Sequence, residues 1–244
     1  MVRLTRHGLW EIIIGTVVLL AIGWGLSWVW WPLGFLVLPV IIWLFAFFRD
    51  PERPITDDAR AMVSPADGLV SDVGEIENCD LVGGGPAVRI GIFLSVFNVH
   101  VNRAPCDGVV ASVVYKKGKF INALSHNAAS DQNESNTIML FEPRTNEVVC
   151  AVKQIVGLIA RRIICTSQTG DVVARGQRIG MIKFGSRTEL YIPKRLAPEV
   201  RCKKGDKVRG GLDILAVVDR QIAHTGVATS SAMTPEPQPA SNPV

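Results

Sequence analysis

Charge is missing from one long stretch: between Glu11 and Arg49 the chain carries no Asp, Glu, Lys, Arg or His. The stretch also lacks the form of a signal peptide, whose apolar region runs only about 7 to 15 residues and ends at a small-residue cleavage site. CxxC spacing is absent, and the five cysteines (Cys79, Cys106, Cys150, Cys165 and Cys202) are odd in number and scattered. That excludes a disulfide framework and a zinc site, so free cytosolic thiols and no metal are expected. The "GGGP" at 83–86 lacks the lysine and helix of a phosphate-binding loop. "SPADGLV" and "KKGDKVRGGLDILAVV" are turn-and-strand pairs like those of lipoyl and biotinyl carriers, but no modifiable lysine stands beside methionine at a hairpin tip. Aromatics are scarce among the basic clusters "KKGK" (116–119), "ARR" (160–162) and "RCKK" (201–204), and the net charge is only +4. Solvated faces, and after them attraction to anionic lipid, explain such clusters better than nucleic acid does.

What fills the charge-free run is apolar, and all six tryptophans (Trp10, Trp24, Trp28, Trp30, Trp31 and Trp43) lie in it or beside it. It reads as a membrane segment. One crossing needs roughly 20 apolar residues, so the run is too long for one helix and slightly short for two ideal ones. The break "WWPLGF" around Pro32 and Gly34 divides it into two legs, with Trp10 at one end and Trp28, Trp30 and Trp31 at the other as interfacial belts. The expectation is a basic lead over residues 1–9 and a helical membrane hairpin over 10–48, both ends on one side. Arg3, Arg6 and Arg49 put that side in the cytoplasm by the positive-inside rule. A hairpin that only dips into the bilayer would have the same sequence.

From 49 to 220 short β-rich runs alternate with Gly, Pro, Asn and Asp, and long helical periodicity is missing. The fold class expected is mainly β (α+β): a compact antiparallel β domain with carrier-like elements. The segment 122–135, "NALSHNAASDQNES", reads as a polar loop with a short helical piece. Residues 221–244 are rich in Thr, Ser, Ala and Pro and read as a disordered tail.

Within the β domain, "MIKFGSRTELYIP" (181–193) reads as one strand. Alternation puts Ile182, Phe184, Ser186, Thr188, Leu190 and Ile192 on one side, and Lys183, Gly185, Arg187 and Glu189 on a solvent-like side. Ser186 then points inward. A hydrogen-bonded core serine beside a β-bulge at Gly185 is the plain account of the pair. In "FNVHVN" the same alternation puts His100 on a polar face that is either exposed or lines a cleft. It is a proton carrier if the latter. Asp67 in "SPADG" belongs to an ordinary turn, unless the fold brings it to a histidine or hydroxyl. His126 sits in the polar loop, His224 opens the tail and His7 belongs to the lead.

Taken in order, the membrane segment, "SPADG", "FLSVFNVHVNRAPCDG", "GLIARRI" and "FGS" followed by "ELYIP" resemble the short bacterial form of phosphatidylserine decarboxylase, from Leu9 to about Val218. The resemblance implies a precursor that cuts itself between Gly185 and Ser186 into a β chain (1–185) and an α chain (186–244), which remain together as a heterodimer. Ser186 would become a covalent pyruvoyl cofactor, with neither metal nor pyridoxal phosphate. It would form a Schiff base with phosphatidylserine in the cell membrane and release phosphatidylethanolamine and CO2. His100 would transfer protons and Asp67 would orient groups around Ser186. Arg103, Arg161 and Arg162 are candidates for the headgroup phosphate. Longer family members carry a second histidine where this chain has Arg103, so a full Asp-His-Ser triad is not implied, and they read "LGST" where this chain has "FGSR". The other readings are a pyruvoyl decarboxylase of a different aminophospholipid, such as an archaetidylserine-like one, and a non-catalytic, membrane-tethered carrier-like domain.

Overall fold

The computed structural model describes residues 2–120, 130, 132–157, 162–183 and 185–219. Arg161, His126, Phe184, most of the 122–135 segment and the 221–244 tail lie outside the described residues.

A short strand, β1 (Val2–Leu4), precedes helix α1 (Leu9–Val29), and a 3-10 segment over Trp31–Val37 carries the chain past Pro32 into α2 (Leu38–Phe47) and β2 (Arg49–Pro51). β1 and β2 pair antiparallel, with Leu4 opposite Arg49, so the second leg ends beside the start of the first. The helix over Arg6–Val29 is long and apolar enough to cross a membrane. Most of its large side chains are exposed, including Trp10, Trp24 and Trp28, which suits lipid rather than water. The legs cross closely where side chains are smallest. A Cβ on Gly23 would stand 3.0 Å from the Gly34 carbonyl oxygen, and one on Gly15 would stand 2.9 Å from Leu44. Such small-residue contacts let apolar helices pack without a hydrophobic driving force.

The rest is mainly β, as the turn-punctuated sequence predicts. It opens with β3 (Ala61–Val63), β4 (Gly68–Ile76), β5 (Ala87–Leu94), β6 (Val101–Arg103) and β7 (Gly108–Lys116). Next come β8 (Ser135–Glu142), β9 (Glu147–Val156), β10 (Ile163–Cys165), β11 (Val172–Val173) and β12 (Arg178–Ile182). The series closes with β13 (Ser186–Pro193), β14 (Glu199–Val200), β15 (Lys207–Val208) and β16 (Ile214–Val217). An eight-stranded sheet has the order β11-β7-β8-β9-β13-β5-β4-β15, and two three-stranded sheets have the orders β10-β12-β6 and β14-β16-β3. All these strand pairs are antiparallel. The core joins Ile90, Ile92, Ile138, Leu140, Val152 and Leu190 of the large sheet to Met62 and Leu215 of one small sheet and Ile179 of the other. Each such side chain contributes about 1.5–3 kcal/mol by leaving water.

Two β-rich runs, 87–102 and the single strand expected over 181–193, are each broken by a corner. Residues 87–102 turn at Ser95–Asn98: Asn98 Oδ1 accepts from the Ser95 backbone N–H (2.9 Å) and Oγ (2.7 Å), and Asn98 N donates to Ser95 O (3.0 Å). Residues 181–193 break between Ile182, which ends β12 in a small sheet, and Ser186, which begins β13 in the middle of the large one. Gly185 has φ +62° at that corner, a conformation most residues avoid.

The solvent-like side assigned to this stretch is therefore corrected. Arg187 and Glu189 are 0% exposed and Lys183 is also buried, because β13 lies between β5 and β9 and is covered on both faces. Charge could go inside because it is paired there. Arg187 binds Asp72 and Glu189, and Lys183 binds Glu11 of α1.

Candidate active site

Ser186 opens the central strand β13, opposite Leu94 on one side and Val156 on the other. It is completely buried, and its Oγ has no hydrogen-bond partner among the described residues. A buried hydroxyl left unpaired costs about 1–3 kcal/mol, and the core-serine account needs a partner that the described residues do not supply. Gly185 next to it is half-buried, and nothing lies within 4 Å of where a Cβ would stand. Its backbone angle, rather than space, calls for glycine.

His100 lies just before β6 and is fully buried, so the polar face of that run is an interior one. Its ring rests on Phe47 of α2, with centroids 4.3 Å apart and planes at 34°. Nδ1 is 3.0 Å from the Asn98 carbonyl oxygen. A carbonyl only accepts, so Nδ1 holds the proton and Nε2 keeps a lone pair. Nε2, like Ser186 Oγ, has no partner among the described residues. Burial lowers the imidazole to about 4; the Asn98 carbonyl opposes this, Arg49 adds to it, and the charge of Asp67 opposes it weakly. The ring is neutral at pH 7, with a bare nitrogen able to accept a proton.

Register brings the two groups to the same end of the interface between sheets. Asn102 follows His100 on the same side of its strand, as Thr188 follows Ser186, and Asn102 Nδ2 donates to Thr188 Oγ1 (3.0 Å). At the other end of this two-residue step, Ile182 N donates to His100 O (3.3 Å), and Ile182 packs on Val156, the strand partner of Ser186. The tie is reinforced from behind: Gln154 Nε2 donates to Asn102 Oδ1 (2.9 Å), and Asn136 Nδ2 donates to Gln154 Oε1 (3.0 Å). All four residues are buried.

Asp67 is held apart from the imidazole. Arg53 Nη1 and Nη2 donate to its two oxygens (2.6 and 2.8 Å), and Gly210 N donates to Oδ1 (2.7 Å). It acts on His100 through charge, without a hydrogen bond among those described. The arginines considered for a phosphate are dispersed. Arg103 is buried, with Nη1 on Gly176 O (2.9 Å) and Nη2 on Asp50 Oδ1 (3.0 Å) and Pro51 O (2.9 Å). Arg162 is exposed. A cleft of about 710 Å³ opens beside Asp67, with Asn98, Leu69, Phe93, Lys207 and Arg209 in its walls.

Residues 41–216, which include every one of these site residues, match the family model for phosphatidylserine decarboxylase. The chain belongs to the phosphatidylserine decarboxylase family. It is 42% identical over 214 residues to the phosphatidylserine decarboxylase proenzyme of Rhodopirellula baltica, covering 86% of each chain. With that of Carboxydothermus hydrogenoformans the identity is 46% over 183 residues, 75% of this chain and 83% of the other. With that of Ralstonia pickettii it is 42% over 207 residues, 85% and 90%. This decarboxylase family member is an enzyme whose relatives are named as proenzymes.

Alternation puts Ser186 inward and His100 on a polar face, the resemblance gives them roles, and neither reaches their support. Asn102 shares the face of His100, so its position in "FNVHVN" is the signal that could have found it. Gln154 and Asn136 stand on strands far away in sequence. Arg53 gives no local sign, since its partner Asp67 lies across a turn and a strand.

Proposed function

We propose that the chain cuts itself between Gly185 and Ser186, and that the cut protein decarboxylates phosphatidylserine to phosphatidylethanolamine and CO2. The observation that carries this reading is the pair of unpartnered buried atoms, Ser186 Oγ and His100 Nε2, at one end of a rigid polar tie. His100 Nε2 takes the Ser186 proton as Oγ attacks the Gly185 carbonyl and the peptide bond gives way to an ester. Loss of the Ser186 Cα proton then expels the Gly185 carboxylate and leaves a dehydroalanine. Water converts that residue to a pyruvoyl group and ammonia. Glycine leaves the attacked carbonyl unshielded, and serine supplies the leaving oxygen.

The residues present fit such a group: a buried strand end, no competing hydrogen bond, and a neutral imidazole. The pyruvoyl carbonyl supplies an acceptor for the substrate amine and for the electron pair released with CO2. His100 Nε2 would take up a proton released by the substrate amine and give it to the carbon that has lost CO2. Asp67, locked by Arg53, adds a small negative charge that partly offsets that of Arg49 at the imidazole. Residues 10–48 hold the catalytic domain, 49–220, at the cytoplasmic face of the membrane, where a diacyl substrate remains. Tethering raises its effective concentration.

A denaturing gel with intact mass tests the reading. Two chains are expected, the smaller blocked at residue 186; a single uncut chain sinks it. Ser186→Ala should stay one inactive chain, and maturation of that variant would remove Ser186 from its role. With His100→Ala, cutting or turnover should fall at least 100-fold; normal rates in both would leave the imidazole structural.

A further inference from the structure

The cleft beside Asp67 is shaped by two elements, of which the reaction above uses only the Asn98 carbonyl. One is the edge strand β15, whose Lys207 lies opposite Leu69 of β4, with Arg209 just beyond. Lys207 is exposed and its ammonium has no hydrogen bond or ion pair among the described residues, while Arg209 holds Asp213 through Nε (3.2 Å) and Nη2 (3.1 Å). The two carboxylates in the walls, Asp67 and Asp213, are thus each matched by an arginine. The charge of Lys207 remains over.

The other element is the Ser95–Asn98 turn. Its Phe97 is 72% exposed, more than any other aromatic described outside the N-terminal helices. The turn is fastened to the end of α2: Trp43 Nε1 donates to Val96 O (3.3 Å) and Arg49 Nη2 to Phe97 O (2.8 Å). Arg49 Nη1 also caps α2 through Ala46 O (2.6 Å). Phe97 is therefore tied to the last turn of the second apolar leg, at the level where such a leg meets the aqueous side.

We infer that this cleft seats the phosphodiester of the lipid headgroup, gripped by Lys207 and Arg209, with Phe97 dipping into the bilayer at its mouth. The inference rests on the proposed function and adds a substrate site to it. A ligand there touches Asp67 and Asn98, and the carbonyl of Asn98 holds the His100 ring, so one residue links the cleft to the imidazole. A volume of about 710 Å³ accommodates a headgroup. Arg103, by contrast, is buried, with its Nη groups on Asp50, Pro51 and Gly176, whereas Lys207 and Arg209 are exposed.

The test uses the full chain and two probes, phosphatidylserine vesicles as substrate and soluble glycerophosphoserine as competitor. Lys207→Gln with Arg209→Gln should raise both the KM for vesicles and the Ki of glycerophosphoserine about tenfold, as loss of a charged hydrogen bond does, with kcat within about twofold. Lys207→Arg should restore both. Phe97→Ser should raise the vesicle KM alone. An unchanged Ki in the double variant overturns the inference, as does a loss confined to vesicles, which general surface charge would explain. Inorganic phosphate displacing glycerophosphoserine at equal concentration would make the cleft a plain anion site and also overturns it. Self-cleavage is read on the same samples. If the wild-type chain stays uncut, the proposed function fails, and calorimetric binding of glycerophosphoserine to Ser186→Ala, with and without Lys207→Gln, still decides the cleft.

Discussion

Arg187, the second residue past the proposed cut, leads the fully buried side chains in size among the described residues. Its Nε donates to Glu189 Oε1 (2.8 Å), and its Nη groups reach Ser71 and Asp72. Glu189 accepts further from Ser130 Oγ (2.9 Å) and the Tyr191 hydroxyl (2.7 Å). Arg187→Met removes the cation that both carboxylates share, leaving Asp72 with Arg89, and stability should fall by about 3–5 kcal/mol, measured by denaturant unfolding of the uncut Ser186→Ala chain. A loss under 1 kcal/mol would mean that the cluster is solvated. Acid separates this cluster from His100. Burial works to raise the Asp72 carboxyl, but the hydrogen bond and charge of Arg187, helped by Arg89, hold it below its ordinary value near 3.8. The stability it supplies is present above that value and is lost as pH falls through its lower folded one. His100 is also depressed, from 6.5 to about 4, so its contribution is complete above 6.5 and declines as pH falls from there toward 4. In the uncut chain, His100→Gln should flatten the stability profile between those two values and leave the more acidic limb in place. Alternation could not foresee any of this, because it counts Arg and Glu as solvent-facing whether or not they meet a partner inside.

β5 and β4 give a contrast at the level of the element. A Cβ on Gly91 of β5 would stand 2.0 Å from Arg187 Nη2 and 2.6 Å from Asp72 Oδ1, whereas Gly74 of β4 has nothing within 4 Å. Gly91→Ala should therefore lower the melting temperature by several degrees, and Gly74→Ala should be neutral or slightly stabilising. Equal effects, read by calorimetry on the uncut chain, would contradict the packing described. Strand content was legible from turn residues and β-branched runs, but the corners were not. The Ser95–Asn98 turn depends on one asparagine side chain folding back, and the corner at Gly185 on a glycine whose sequence context reads as continuous strand. Strand order was also out of reach, since β13 pairs with β9 and β5 across long intervals of chain and local patterning records no partner.

On the scale of the whole molecule, the absence of charge announced the apolar helix, and the ordered motifs announced the family. The cleft did not announce itself, because its walls come from β4, β5 and β15, which are distant in sequence. Because β13 is hydrogen-bonded along both edges, by β5 and β9, the cut protein should elute as one species in mild detergent and separate only on denaturation. Release of the 186–244 fragment under native conditions would contradict this.

The corner between β12 and β13 has a mechanical side. On one side of the proposed cut, Lys183 is tied to Glu11 of the first apolar helix, with its ammonium 5.8 Å from the Phe48 ring centre; on the other, Ser186 is set in the middle of the large sheet. A cut there would leave its two new ends moored to different parts of the fold, one to the apolar helix and one to the sheet, so that neither would depend on the other for its place.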